Sequence, residues 1–261
     1  MMTNYLVRCG TVEGIITVLV SLIGCAQTRA LNELEKLVLD DIEYDHCESK
    51  AIRCIESIDY ESNHEKITNI IFNSGNLNLI DLLVENYPRD YRNYIIRGDA
   101  YIKNAMIQQM VGFFMKSSAK VSFKKAKECY MKALELNNRD IYVLGILSFM
   151  YGEENEYDKA KELLHRGLKF APNNPLLYLA LGEMYDREKE YTIAIGYYKR
   201  VLEFSENEVE KDFEHMNQYF HKLIDYFPNS FEEAREEASK IIKKLEVKQH
   251  DKGMADMKTV M

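Results

Sequence analysis

Apolar residues recur along most of this chain at helical spacing, three and four positions apart, with polar residues between them. That period predicts helices over Leu31–Leu39, Ile52–Ile58, Ile67–Phe72 and Leu77–Val84, the last closed by Pro88. Further on the pattern repeats itself. Ala126, Ala160 and Ala194 stand 34 residues apart, and four residues beyond each comes a large side chain, Tyr130, Leu164 and Tyr198. Three further on are Ala133, Gly167 and Val201. Upstream, Tyr151 and Tyr185 keep the same spacing, as do Leu144 and Tyr178, and Ser148 and Gly182. A fixed 34-residue period with small residues at set places predicts stacked helix hairpins, because a surface poor in Cβ atoms lets helix axes approach closely.

These positions resemble the tetratricopeptide repeat (TPR), a 34-residue helix hairpin. The resemblance implies an all-α solenoid with repeats at 91–140, 141–174 and 175–208 and a degenerate unit at 209–247. The first unit departs from the pattern at Arg97, where the family prefers Leu. It also carries sixteen extra residues at its hairpin tip, since Tyr101 and Ala126 are 25 apart where Tyr151 and Ala160 are nine apart. In the last unit, Ser230 and Glu233 form a capping-box signature before Ala234, Ala238 and Ile241. The polar stretch 248–261 is expected to fray. The resemblance further implies a concave groove lined by first-helix residues Ile95, Asp99, Tyr142, Phe149, Leu176, Leu179 and Glu183. These are not the Lys and Asn of a carboxylate clamp, so the groove would suit an apolar or weakly basic protein segment. The alternative is that a terminal helix of the chain fills it. In the inserted tip, Met106, Met110 and Phe113 share one helix face and Phe114 lies on the next. They imply packing on the N-terminal helices, or a ligand, oligomer or membrane contact.

Composition narrows the function. The formal charge is −8, and basic residues alternate with acidic ones, which excludes a nucleic-acid-binding surface. Only 4 prolines and 12 glycines in 261 residues favour helices over a turn-rich β fold. No phosphate loop, nucleophile elbow or metal-ligand spacing is present, so neither catalysis nor a cofactor is expected. His46, Cys47, Cys54 and His64 match no metal pattern. Cys47 and Cys54 read as structural thiols or as a bridge in an oxidising compartment.

Near the start, Ile15–Gly24 is an apolar run too short to span a bilayer. It ends in Leu22-Ile23-Gly24-Cys25, which resembles the lipobox of bacterial lipoproteins. That resemblance implies a signal peptide at 1–24, acylation of Cys25 and a membrane anchor facing the periplasm. With Ala26 next, it implies the outer membrane in a Gram-negative cell. The other reading is the start of a buried helix. Residues 25–90 are expected to form a helical N-terminal region that follows the signal peptide. A second resemblance covers about Ile67–Leu136, through Leu79-Ile80-Asp81, Tyr87-Pro88, Phe113-Phe114 and the helix Ala-Lys-Glu-Cys-Tyr-Met-Lys-Ala. It is similar to the lipoprotein T component of TRAP-type transporters, which implies transporter components or a small ligand as partners.

Overall fold

A computed structural model describes residues 26–36, 50–51, 53–74, 77–110, 116–205, 208–209, 228 and 230–260. Cys25, the signal-like run, Phe113 and Phe114, and the side chain of Met110 lie outside them. Among the described residues there are helices and no strand. The chain divides into two compact units, Met1–Ala100 and Tyr101–Met261.

In the first unit, α1 (residues 26–36), α2 (Tyr60–Ser74), α3 (Leu77–Asn86) and the start of α4 (Tyr91–Met110) surround one apolar core. Leu34, Ile67, Ile71, Leu79, Ile80 and Leu83 are all but fully buried. They fall within the segments Leu31–Leu39, Ile67–Phe72 and Leu77–Val84 that the helical period marks. Cys54 is a buried free thiol, and burial pushes it above the ordinary thiol range.

The second unit holds the hairpins. After α4 come α5 (Lys116–Leu136), α6 (Ile141–Glu153), α7 (Tyr157–Phe170), α8 (Pro175–Arg187), α9 (Tyr191–Glu203) and α10 (Phe231–Val260). Helix α6 pairs with α7, and α8 with α9. Helix α8 also packs on α6 and α7, which stacks one hairpin on the next. The small positions sit at the crossings: Ala126, Ala160 and Ala194 have no exposed surface, and neither have Leu164 and Val201. The fold is an all-α, TPR-type helix-hairpin solenoid.

The turns repeat as faithfully as the helices. At the end of α6, Glu156 N–H donates to Tyr151 O at 2.9 Å and Asn155 N–H to Gly152 O at 3.0 Å. At the end of α8, Glu190 donates to Tyr185 at 2.9 Å and Lys189 to Asp186 at 2.9 Å. Both are Schellman caps, which need a left-handed residue. That residue is Asn155 (φ 61°) in one and Lys189 (φ 64°) in the other. A Lys side chain is disfavoured there by about 1–2 kcal/mol. Lys189→Gly is therefore expected to raise stability by roughly 0.5–1 kcal/mol after the entropy cost of Gly, with a smaller gain for Asn155→Gly, because Asn tolerates this region. Urea denaturation of the two variants checks the order.

First helices begin alike too. Asp90, Asp140 and Asn174 each accept a backbone N–H at 3.0 Å, from Arg92, Val143 and Leu176. Tyr94 donates its hydroxyl to Pro88 O at 3.2 Å, and Tyr178 to Pro172 O at 2.9 Å. Thus α3 precedes α4 as α7 precedes α8, one helix further toward the N-terminus than the sequence repeat reaches.

Three features differ from the sequence reading. The extra residues of the first hairpin do not all form a tip: they lengthen both helices, α4 to 20 residues against 13 in α6, and α5 to 21 against 14 in α7. The face of α10 that packs on α9 is Ala234, Ala238, Ile242 and Leu245, so Ile241 is only half-buried. The polar stretch from 248 continues α10 as helix to Val260 rather than fraying. Lys248 holds it to Asp186 at 3.2 Å, and Gln249 donates to Thr192 at 2.8 Å. The Ser230 cap is present, its hydroxyl accepting Glu233 N–H at 3.1 Å.

Candidate functional site

Consecutive hairpins of the second unit are fastened by a repeated three-residue clasp. Lys127 on α5 reaches Glu154 at 2.5 Å and lies 3.6 Å from the ring centroid of Tyr151. Lys161 on α7, 34 residues later, reaches Glu188 at 2.8 Å and lies 4.9 Å from the ring of Tyr185. Each ammonium joins the second helix of one unit to the first helix of the next. Partly exposed ion pairs and cation–π contacts contribute at most about 1 kcal/mol each, so the clasp sets register more than stability.

Of the groove residues, Ile95 and Asp99 belong to the first unit and both are buried. In the second unit Tyr142, Leu176 and Leu179 are buried, the Tyr142 ring edge-on to Tyr130 at 6.4 Å, while Phe149 and Glu183 are half-buried. The row is thus largely covered in the chain as it stands. Glu183 is also not an open acidic spot. Arg187 Nη2 lies 2.8 Å from Glu183 Oε1 and 2.6 Å from Glu153 Oε1, tying two neighbouring first helices together. Burial opposes the Arg187 charge, but bonds to Glu183 and Glu153 outweigh it and push its pKa up. Met106 and Ile107, in the insertion, are exposed.

A second polar centre, in the first unit, escaped sequence reasoning. Asn93, with no exposed surface, donates its Nδ2 to Leu83 O and Tyr87 O, both at 3.3 Å. Its Oδ1 is thereby left to accept, from the Tyr60 hydroxyl at 2.5 Å and from His64 Nε2 at 3.2 Å. Asp90 Oδ2 stands 3.6 Å from His64 Nε2. Arg92 clamps Asp90 with contacts of 2.9 and 2.7 Å and reaches Glu61 at 3.0 Å. The Tyr60 ring stacks on Tyr87 at 3.7 Å and meets His64 edge-on. Burial, seconded by Arg92, lowers the His64 pKa against the opposing pull of Asp90 and Asn93. Burial alone would raise Asp90, yet the hydrogen bonds from Arg92 bring it below the carboxylate norm. Burial and Asp90 push the Tyr60 hydroxyl up. An open cleft of about 660 Å³ lies beside this network, lined by Tyr60, Tyr87, Pro88, Arg89 and Tyr91 among others. The available signal was positional: Asp90 occupies the helix-start place of Asp140 and Asn174.

Among the described residues, no group of three or more His, Cys, Asp or Glu side chains is placed to hold a metal ion. No described helix is long and apolar enough to cross a membrane.

Against known proteins, the tetratricopeptide-repeat family model matches residues 122–140, the greater part of α5 and the turn after it. A thermophilic TPR protein of Thermus thermophilus, TTC0263, is similar at 20% identity and TM-score 0.46, over 76% of this chain and 99% of that one. MamA is similar at 16% identity and TM-score 0.39, over 74% and 95%. Yeast Tom70 is similar at 17% identity and TM-score 0.40, over 86% of this chain and 52% of its own. No curated protein matches by sequence.

Proposed function

We propose that this chain is a non-enzymatic interaction scaffold of a bacterial cell envelope, held to the membrane by a lipid on Cys25 and presenting its hairpin stack to a protein or peptide partner. The observation that carries the interaction reading is the register-locked stack from α6 to α9. Repeats that contact only their neighbours build an extended rigid surface without a catalytic pocket, and such surfaces serve recognition. The half-open strip of Phe149, Glu183 and Arg187 is where a partner would begin to engage. The anchor rests on Leu22-Ile23-Gly24-Cys25 and the apolar run before it.

Photo-crosslinkers at Phe149 and Glu183, with controls at exposed Glu162 and Lys169 on the second helix α7, test the surface in the cells of origin. A discrete protein product from the first pair alone is expected. Equal products from all four positions, or none, would remove the interaction surface. A solute-carrying periplasmic protein as the product would favour the transporter-accessory reading. In parallel, Cys25→Ser is expected to abolish detergent partitioning. An unmodified N-terminal peptide by mass spectrometry would remove the anchor while leaving the scaffold reading intact.

A further inference from the structure

We infer that the Tyr60–His64–Asn93–Asp90 centre is an acid-sensitive lock, which holds α2 against the start of α4 while His64 is neutral and loosens that junction when the imidazole takes a second proton.

The geometry fixes the neutral form. Asn93 Nδ2 is committed to two backbone carbonyls, so its Oδ1 faces Tyr60 and His64 as an acceptor. His64 must then carry its single hydrogen on Nε2, the nitrogen that faces both Asn93 and Asp90. A second proton would go to Nδ1, away from that acceptor. It would gain neither of these partners, and it would bury a cation in a site that already holds the Arg92 guanidinium. The charged groups that act on His64 are Arg92 and Asp90, from the start of α4, and Glu61, in the first turn of α2. Asp90 offsets this only in part, because it stands 3.6 Å from Nε2 and the Arg92 guanidinium beside it already balances its charge. Tyr60 and Tyr87 present neutral rings, and α1 meets this region through neutral Gln27, bonded to Asn63 at 3.3 Å.

The direction of the pH effect follows. With the folded His64 pKa below its unfolded value near 6.5, the unfolded chain binds the extra proton first as pH falls. Stability of the junction therefore declines on going below about pH 6.5 and levels off beneath the folded pKa. Asp90 also favours the fold at higher pH. Its contribution is lost in a separate window, below the carboxylate range near 3.8, so the two are distinguishable.

Hydrogen exchange of the full chain tests the lock. Amide protection in α2 and the first two turns of α4, taken relative to α6–α9, is expected to fall several-fold between pH 7.5 and 5.5. In His64→Gln, which keeps a neutral donor toward Asn93, the ratio should stay flat. A flat ratio in the unsubstituted chain, or an unchanged response in His64→Gln, would overturn the inference. Should His64→Gln not fold, imidazole titration by NMR in the unsubstituted chain decides: a midpoint below 6.5 is required, and one at or above it refutes the lock.

Discussion

Gly182→Ala should destabilise the chain by about 1–3 kcal/mol, while the same change at Gly196 should stabilise it by about 0.5–1 kcal/mol. Both glycines lie inside helices, Gly182 in α8 and Gly196 in α9. Helix propensity alone therefore predicts a gain at each. A Cβ on Gly182, however, would stand 2.7 to 2.9 Å from three ring atoms of Tyr198. That ring is fully buried and cannot swing aside into solvent. A Cβ on Gly196 meets nothing within 4 Å. Urea denaturation of both variants gives the comparison. Equal signs would mean that the α8–α9 crossing is not as close as described, and the stack would lose its central contact.

Asn93→Leu should cost about 2–4 kcal/mol. The substitution removes the acceptor of two buried donors, the Tyr60 hydroxyl and the His64 N–H, while the carbonyls of Leu83 and Tyr87 keep the backbone N–H groups of Tyr87 at 2.9 Å and Asp90 at 3.1 Å. Each buried group without a partner costs about 1–3 kcal/mol, less than additively within one network. Leu is close to Asn in size, so the loss would not come from a large cavity. Asn86→Leu is the control. It removes a similar side-chain-to-carbonyl bond, to Leu82 at 2.8 Å, but an exposed one, and should change stability by less than about 0.5 kcal/mol. The transition of the first unit is the one to follow. A loss at Asn93 no larger than at Asn86 would show that the centre does not hold α2, α3 and α4 together.

The hairpin repeat was legible because its determinants are local and periodic. Ala160 and Ala194, and Tyr151 and Tyr185, recur every 34 residues, since each unit must present the same crossing to the next. The helical period likewise marked the segments Ile67–Phe72 and Leu77–Val84, within which the core of the first unit buries Ile67, Leu79 and Leu83. The lengthened first hairpin was less legible. Its extra residues were visible as a count, but whether they formed a tip or extended two helices depends on where hydrogen bonding stops, and apolar spacing does not mark that point.

The sequence by itself determined the fold class, the register of the hairpins and the small residues at their crossings, because these follow from side-chain size at fixed spacing. Only the tertiary structure decided which surfaces remain open. The row from Tyr142 to Leu179 points to one side by register, but its burial depends on all that packs near it. Likewise Glu183 looks like an acidic feature until Arg187 and Glu153 are seen beside it. Only the fold, too, could bring His64 to Asn93 across 29 residues of chain. A buried polar network has no period. Its members are chosen to satisfy one another in space, and until they meet each reads as an ordinary polar residue on a helix.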